Sequence, residues 1–285
     1  MKRLITLFMI VVLVFSFAAC GGSGDGGGSK VDSDMTFSEV TAVDNDECSI
    51  KITGIDPDNE WGYTLNVLLE NKSSNKTYVY SIYNASINGV TCDPFFATTV
   101  AAGKKSKEEI SFVTDDLEAN GLTEFTEIEL TFNVYDDNDW DAEDVVNETV
   151  TIYPYGEEKA SKFVREPQSS DVVLVDNEYA TLISTGFEQD EMWGYTANLF
   201  LVNKTDKNLM FSADEVSVNG YMLDPLYAEL VPPGKCAFGF MSWFEEEFED
   251  NDITEVEEIE FLLTVYDDED WSGDYLVEQK VTLNP

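Results

Sequence analysis

Apolar and polar residues alternate over long stretches of this chain. The alternation is regular in YTLNVLLEN, which begins at Tyr63, and in EIELTFNVY, which begins at Glu127; similar segments begin at Tyr195 and Glu258. Because successive side chains of a strand point to opposite faces of a sheet, a repeat of two predicts half-buried β-strands. The residues predicted to face the core are Tyr63, Leu65, Val67, Leu69, Ile128, Leu130, Phe132 and Val134 and, in the later segments, Tyr195, Ala197, Leu199, Leu201, Ile259, Phe261, Leu263 and Val265.

Turn signals separate these stretches. Asn88-Gly89 and Asn219-Gly220 each stand between apolar residues. They predict tight hairpins, because a type I′ turn needs positive φ at both central positions. Gly103 and Gly234 indicate a second turn. One short helix is predicted in TDDLEANG, from Thr114, between a capping residue and an Asn-Gly stop.

The whole pattern is written twice. WGYTLNVLLENK from Trp61 is matched by WGYTANLFLVNK from Trp193. The acidic phrase VYDDNDW ends at Trp140, and VYDDEDW ends at Trp271. Self-similarity of this extent indicates a tandem duplication.

Each copy is long enough to enclose a core of its own, so the repeat predicts two domains rather than two units of a solenoid. We place them at residues 35–155 and 169–285, with a polar linker at 156–168. Roughly seven short strands with frequent turns in each copy are typical of an antiparallel sandwich.

Both copies carry a VxxxNK[ST]-type strand end, at Asn71 and Asn203, followed by an Asn-Gly hairpin. In these features the chain resembles the immunoglobulin-like domains of Gram-positive surface lipoproteins. The resemblance implies an all-β fold of two tandem immunoglobulin-like antiparallel β-sandwich domains, and it implies no activity. The chain lacks the Cys–Trp–Cys arrangement of antibody domains, so the resemblance concerns the architecture only. The NKS, NKT, NAS and NET triplets also fit a glycosylation sequon, but we interpret them as turn chemistry.

The N-terminus predicts export and lipidation. Lys2 and Arg3 precede an uncharged apolar run that ends in FAAC at Cys20. The run is shorter than the about 20 residues of a spanning helix, which indicates a secretory signal over residues 1–19. FAAC resembles a bacterial lipobox, which implies a diacylglyceryl group on Cys20 and attachment to the membrane. Residues 20–34 then form a flexible Gly/Ser tether, so we expect display on the extracellular face of the cell membrane.

Charge narrows the range of partners. Asp and Glu number 57 against 16 Lys and Arg, a formal net charge of −41. This charge argues against nucleic acid or anionic lipid as the ligand and favours cations or basic partners. The hydrophobic content of 43% is too high for a disordered chain. The chain has no histidine, which excludes Ser-His-Asp and Cys-His catalysis and His-ligated zinc.

The cysteines beyond Cys20 give no disulfide framework. Cys48 and Cys92 could pair inside the first copy, but Cys236 has no partner in the second. We interpret all three as small core residues.

The acidic phrases are predicted to lie at hairpin tips, where alternate carboxylates could gather around Ca²⁺, the one cofactor considered. Against a twelve-residue EF-hand loop, the first copy has Ala142 where glycine is needed, and the second ends on Gln279. A solvated acidic hairpin that blocks edge pairing is the favoured interpretation. The candidate metal ligands are Asp137, Asp139, Asp141 and Glu148 in the first copy and Asp268, Asp270, Ser272 and Asp274 in the second.

Tryptophan supplies the other candidate chemistry. Trp140 and Trp271 could stack on a sugar ring, as could Trp61 and Trp193; the favoured alternative makes all four hydrophobic plugs at the ends of the sandwiches. The sequence therefore predicts a non-catalytic surface lipoprotein with a binding or structural role and an unidentified surface or cell-wall partner. The alternatives are a Ca²⁺-dependent adhesion or carbohydrate-binding module and, less favoured, a cell-wall glycan hydrolase built on paired carboxylates.

Overall fold

The computed structural model describes residues 37–94, 96–139, 141–190, 193–270 and 273–285. The predicted signal peptide, Cys20 and the tether lie outside these ranges, as do Trp140, Trp271 and Ser272. None of the helices in the described ranges is both long enough and apolar enough to cross a membrane.

The first copy is built from antiparallel strands and one short helix. Strands β1, β2, β3 and β7 form one sheet in that order, while β4 pairs with β5, β6 and β8, and β8 pairs with β9. The elements are β1 Val40–Asp44, β2 Cys48–Asp56, β3 Tyr63–Asn71, β4 Tyr78–Ile87, β5 Val90–Cys92, β6 Ala97–Val100, β7 Lys105–Phe112, α1 Asp115–Ala119, β8 Ile128–Asp136 and β9 Val146–Ile152.

The second copy repeats this order. Strands β10, β11, β12 and β16 are neighbours in one sheet, and β14, β13, β17 and β18 in another, with β15 also paired to β13. The elements are β10 Val172–Asp176, β11 Ala180–Asp190, β12 Gly194–Asn203, β13 Leu209–Val218, β14 Tyr221–Met222, β15 Glu229–Val231, β16 Cys236–Trp243, α2 Glu245–Asp250, β17 Ile259–Asp267 and β18 Val277–Leu283.

Each copy encloses a hydrophobic cluster of its own. All the residues predicted to face the core are buried, except Tyr195, which is half-buried against the second cluster. The alternation in sequence therefore identified the inward faces of β3, β8, β12 and β17. The prediction of an all-β chain with antiparallel sheets is confirmed.

The predicted turns are present. Asn88 and Gly89 have φ of 51° and 85°, and Asn219 and Gly220 have 51° and 82°, so both hairpins have positive φ at both central residues. The helix predicted after Thr114 is α1. Its counterpart α2 was not predicted, because FEEEFEDND carries no conventional capping residue at its start.

The NKS and NKT motifs are turn chemistry, as predicted, but NAS at Asn84 and NET at Asn147 lie within β4 and β9, so the turn interpretation is wrong for them. The side chain of Asn71 is buried; its amide donates to the carbonyl oxygens of Lys76 at 2.9 Å and Val100 at 2.8 Å, and its oxygen accepts the amide of Ser73 at 2.9 Å. Asn203 makes the equivalent bonds in the second copy. Both amides fix the loop that follows their strand, because buried polar groups must find partners.

One sheet runs through both copies. Cys236 of β16 pairs in parallel with Val90 of β5, and its backbone amide donates to the carbonyl oxygen of Gly89 at 3.0 Å. The result is a nine-stranded sheet that contains β10, β11, β12 and β16 from the second copy and β5, β4, β8 and β9 from the first, with β6 paired to β4 as the ninth strand. Cys48, Cys92 and Cys236 are free thiols that form no disulfide; Cys48 is buried, and Cys92 and Cys236 are half-buried.

The segment between the copies packs on both of them. The amide of Phe163 donates to the carbonyl oxygen of Asn88 at 2.8 Å, and its ring meets Phe238 edge-on with centroids 5.7 Å apart. Arg165 pairs with Asp171 through two hydrogen bonds of 2.7 Å. Residues 156–168, interpreted from their composition as a polar linker, therefore include an aromatic anchor at the junction.

Candidate functional site

The acidic phrases lie at hairpin tips, as predicted, between β8 and β9 and between β17 and β18. The last aspartate of each inner strand closes the turn: Asp136 accepts the amide of Asn138 at 3.0 Å, and Asp267 accepts that of Glu269 at 3.1 Å. Each also holds a lysine from the facing loop, Lys76 at 3.3 Å and Lys207 at 2.5 Å.

These contacts lower the pKa of both carboxyls. For Asp136 the main cause is the backbone hydrogen bond from Asn138, and for Asp267 it is the hydrogen bond from Lys207. The repeated acidic phrase therefore contains one structural aspartate per copy, fixed to its turn by the backbone and a cation.

The predicted metal ligands remain spread along the tips. Asp137 and Asp268 extend the ladder, donating their amides to the carbonyl oxygens of Thr77 at 3.0 Å and Asn208 at 3.1 Å. Glu148 lies within β9, opposite Phe132. Across the described ranges, no group of three or more Asp, Glu or Cys side chains is gathered as a metal site. Ser272 lies outside those ranges, while Asp139, Asp141, Asp270 and Asp274 belong to the tips.

We expect 1 mM Ca²⁺ to leave the midpoint of thermal unfolding unchanged within about 1 °C, because the described carboxylates of the tips are not gathered into a group of three or more that could surround the ion. Differential scanning calorimetry with Ca²⁺, and with Mg²⁺ as the matched ion, tests this. A rise specific to Ca²⁺ that is lost in the Asp268→Asn variant would show that the second tip binds the metal.

Two of the four candidate tryptophans are at the surface. The plug interpretation is wrong for Trp61, which is 68% exposed, and for Trp193, which is 41% exposed. Trp140 and Trp271 lie outside the described residues.

A polar cleft of about 470 Å³ lies where the two copies meet. Its walls come from β4, β8 and β9 of the first copy and from three loops or turns of the second. The lining residues are Tyr83, Asn84, Ala85, Ser86, Glu129, Thr131, Asn147, Thr149, Asn208, Pro232, Pro233, Lys235, Asp268 and Glu269. We call this site the cleft.

An ion pair between the copies lies in the cleft. The ammonium group of Lys235 donates to Glu129, and Lys162 from the connecting segment lies 3.7 Å from the same carboxylate. Burial opposes ionisation of Glu129, but the hydrogen bond and charge of Lys235, with the charge of Lys162, outweigh it and lower the pKa of Glu129. Glu129 is therefore a fixed carboxylate at neutral pH.

The local backbone explains the other walls. A register shift between Ile82 and Asn84 places Tyr83 at a bulge of β4, where its ring is 56% exposed. Thr131 and Thr149 face each other across β8 and β9 with their hydroxyl oxygens 2.8 Å apart. The cleft thus combines an exposed ring with hydroxyls, amides and charged groups, which can hydrogen-bond a polar ligand and stack on a flat one.

The sequence analysis identified one residue of the cleft, Asp268, and missed the others. The cleft is formed by the meeting of distant segments, so Tyr83 and Asn208 carry no recognisable motif, and Asn147 stands only in the NET triplet that was interpreted as turn chemistry. One signal was available: β16 begins with Cys236 where the first copy has Lys105, so the second copy lacks the charge that the first has at this position.

No protein-family model and no curated protein matches this chain. Among solved structures, the crystal structure of the YadV chaperone is similar, with 13% sequence identity over 77% of this chain and 92% of that chain and a TM-score of 0.24. A likeness at that TM-score supports no statement about function.

Proposed function

We propose that this chain is a non-catalytic surface lipoprotein that binds a glycan of the cell surface or cell wall in the cleft. The protein would be held at the extracellular face of the membrane by a diacylglyceryl group on Cys20. The two hydrophobic clusters and the repeated order of strands support a pair of tandem immunoglobulin-like sandwiches. The signal sequence and the Gly/Ser tether support the location.

The lining of the cleft carries the assignment to a glycan. Sugars are recognised by aromatic rings that pack on their apolar faces and by amides and hydroxyls that bond their hydroxyl groups. Tyr83 offers the ring, while Asn84, Asn147 and Asn208 offer amides. The volume of about 470 Å³ lies within the range of small-ligand sites.

The same geometry favours binding over hydrolysis. A glycosidase needs one carboxyl that stays protonated as the acid and a second as nucleophile or base. In the cleft the pKa of Glu129 is lowered, and its carboxylate is engaged by Lys235. Glu129 is therefore poorly suited to donate a proton.

Titration calorimetry of the full-length protein with soluble peptidoglycan fragments tests the proposal. We expect binding that weakens about five- to thirtyfold in Tyr83→Ala and in Asn147→Ala, because each removes a ligand contact worth about 1 to 2 kcal/mol. Tyr179→Ala, which removes a 37% exposed tyrosine outside the cleft lining, is the matched control. Equal affinity in the wild-type protein and all three variants would show that the cleft is not the binding site. Release of reducing ends from the fragments would contradict a non-catalytic role.

A further inference from the structure

The two copies differ sharply on the outer face of one strand. The face of β7 that points away from the core carries Lys107 and Glu109, whereas the equivalent positions of β16 are Phe238 and Phe240. Charges on an exposed strand discourage association, so the first copy has the usual protection and the second has lost it. A large apolar substitution on a solvated face requires a covering partner or a function.

Phe238 and Phe240 form an aromatic stripe on the outer face of β16, and the stripe continues onto residues beside this strand. Phe240 is 41% exposed, and its ring centroid lies 5.7 Å from that of Trp193. Leu226, 47% exposed, pairs with Ser242 beside it, and Phe244, 45% exposed, follows β16 directly. We call Trp193, Leu226, Phe240 and Phe244 the aromatic patch.

The chain itself covers the other end of this stripe. Phe200 lies opposite Phe238 across β12 and β16, with ring centroids 5.2 Å apart. The connecting segment Lys-Phe-Val-Arg, residues 162–165, lies over these two rings: Phe163 meets Phe238 edge-on, and the guanidinium group of Arg165 lies 5.5 Å from the ring of Phe200. This face therefore already accepts an aromatic ring and a guanidinium group from an extended segment, Phe163 and Arg165.

The rim of the aromatic patch is acidic. Glu245 and Glu246 are exposed directly after Phe244, and Asp224 is exposed two residues before Leu226. Glu188 accepts a hydrogen bond of 2.8 Å from Asn198, which lies opposite Phe240. A second copy of this chain, with a formal net charge of −41, would be repelled, whereas a cationic segment would be attracted.

We propose that the aromatic patch docks an extended segment of a partner protein in which aromatic or aliphatic anchors alternate with lysine and arginine. The docked segment lies along the aromatic stripe, next to the end of it that residues 162–165 already cover. Its anchors pack on Phe240 and Trp193, and its cations meet the acidic rim. This site is separate from the cleft and does not depend on glycan binding.

Fluorescence anisotropy with a labelled peptide Lys-Phe-Val-Arg-Lys-Phe-Val-Arg tests the proposal on the full-length protein. The equally charged peptide Lys-Ser-Ser-Arg-Lys-Ser-Ser-Arg measures attraction by charge alone. We expect the first peptide to bind at least tenfold more tightly than the second. In Phe240→Glu, which installs the residue of the first copy, and in Trp193→Ser, we expect this preference to disappear. Trp61→Ser, at the equivalent position of the first copy, is the matched control and should keep the preference.

Several outcomes would overturn the proposal. They are equal binding of the two peptides to the wild-type protein, an unchanged preference in both patch variants, and loss of the preference in Trp61→Ser. Sedimentation that shows a wild-type dimer abolished by Phe240→Glu would assign the aromatic patch to self-association instead. Thermal unfolding of each variant separates loss of the site from loss of the fold.

Discussion

Replacing Gly194 by alanine should destabilise the protein by at least about 4 kcal/mol, because two separate costs fall on one residue. Gly194 has φ of 75°, a region that side chains with a Cβ rarely adopt. An added Cβ would also lie 2.1 Å from the carbonyl oxygen of Trp243, which belongs to the backbone and cannot rotate away. The glycine of the repeated WGY motif therefore allows β12 to pass close to the end of β16. Urea unfolding followed by tryptophan fluorescence measures the loss.

Gly220→Ala is the matched control for that variant. Gly220 has φ of 82°, but nothing lies within 4 Å of the position that its Cβ would take. We expect it to lose only about 1 kcal/mol, the cost of the backbone conformation. If both variants lost the same stability, the close approach to Trp243 would not be the reason for the glycine.

Replacing Glu229 by glutamine should stabilise the protein at pH 8 by about 2 to 3 kcal/mol. The carboxyl group lies beside Gly239, 3.3 Å from where a Cβ of that residue would be, and burial raises its pKa from 4.5 to about 7. A shift of one pKa unit corresponds to about 1.4 kcal/mol. The first copy has Thr98 at this position and Glu108 in place of Gly239, so the buried acid is specific to the second.

The sign of the pH dependence follows from the raised pKa. Between about pH 4.5 and 7 the folded protein binds more protons at Glu229 than the unfolded chain does, so stability falls as the pH rises and levels off above 7. The advantage of Glu229→Gln should therefore be full at pH 8 and absent near pH 4. Thermal unfolding at both pH values measures it, with Glu278→Gln, a change of an exposed side chain of β18, as the control. An advantage of equal size at both pH values would mean that ionisation is not its cause.

The local part of the fold could be predicted from sequence, because its causes are local. Alternation identified the inward faces of the central strands, and Asn-Gly identified two hairpins. The burial of Asn71 agrees with the interpretation of its motif as turn chemistry.

The contacts between the copies could not be predicted, because they depend on the register of strands far apart in sequence. The pairing of Cys236 with Val90 and the ion pair of Lys235 with Glu129 produce no regular pattern of apolar and polar residues in the sequence. The prediction for Trp61 failed for a different reason. Equivalent tryptophans are usually buried, and only the structure shows that this one is at the surface.

The substitutions that separate the copies are the most informative part of the sequence. Cys236, Phe238 and Gly239 stand where the first copy has Lys105, Lys107 and Glu108. In the sequence alone, these three differences resemble neutral divergence after the duplication. In the structure they coincide with the junction, the aromatic stripe and the buried acid.

The parallel pairing of β5 with β16 also makes the order of the two copies in the chain matter. Overwriting the second half with a replica of the first by recombination would put a lysine at position 236, where the thiol of Cys236 lies 3.6 Å from the carbonyl oxygen of Gly89. The halves are therefore no longer interchangeable, because only the second carries the residue that fits this junction.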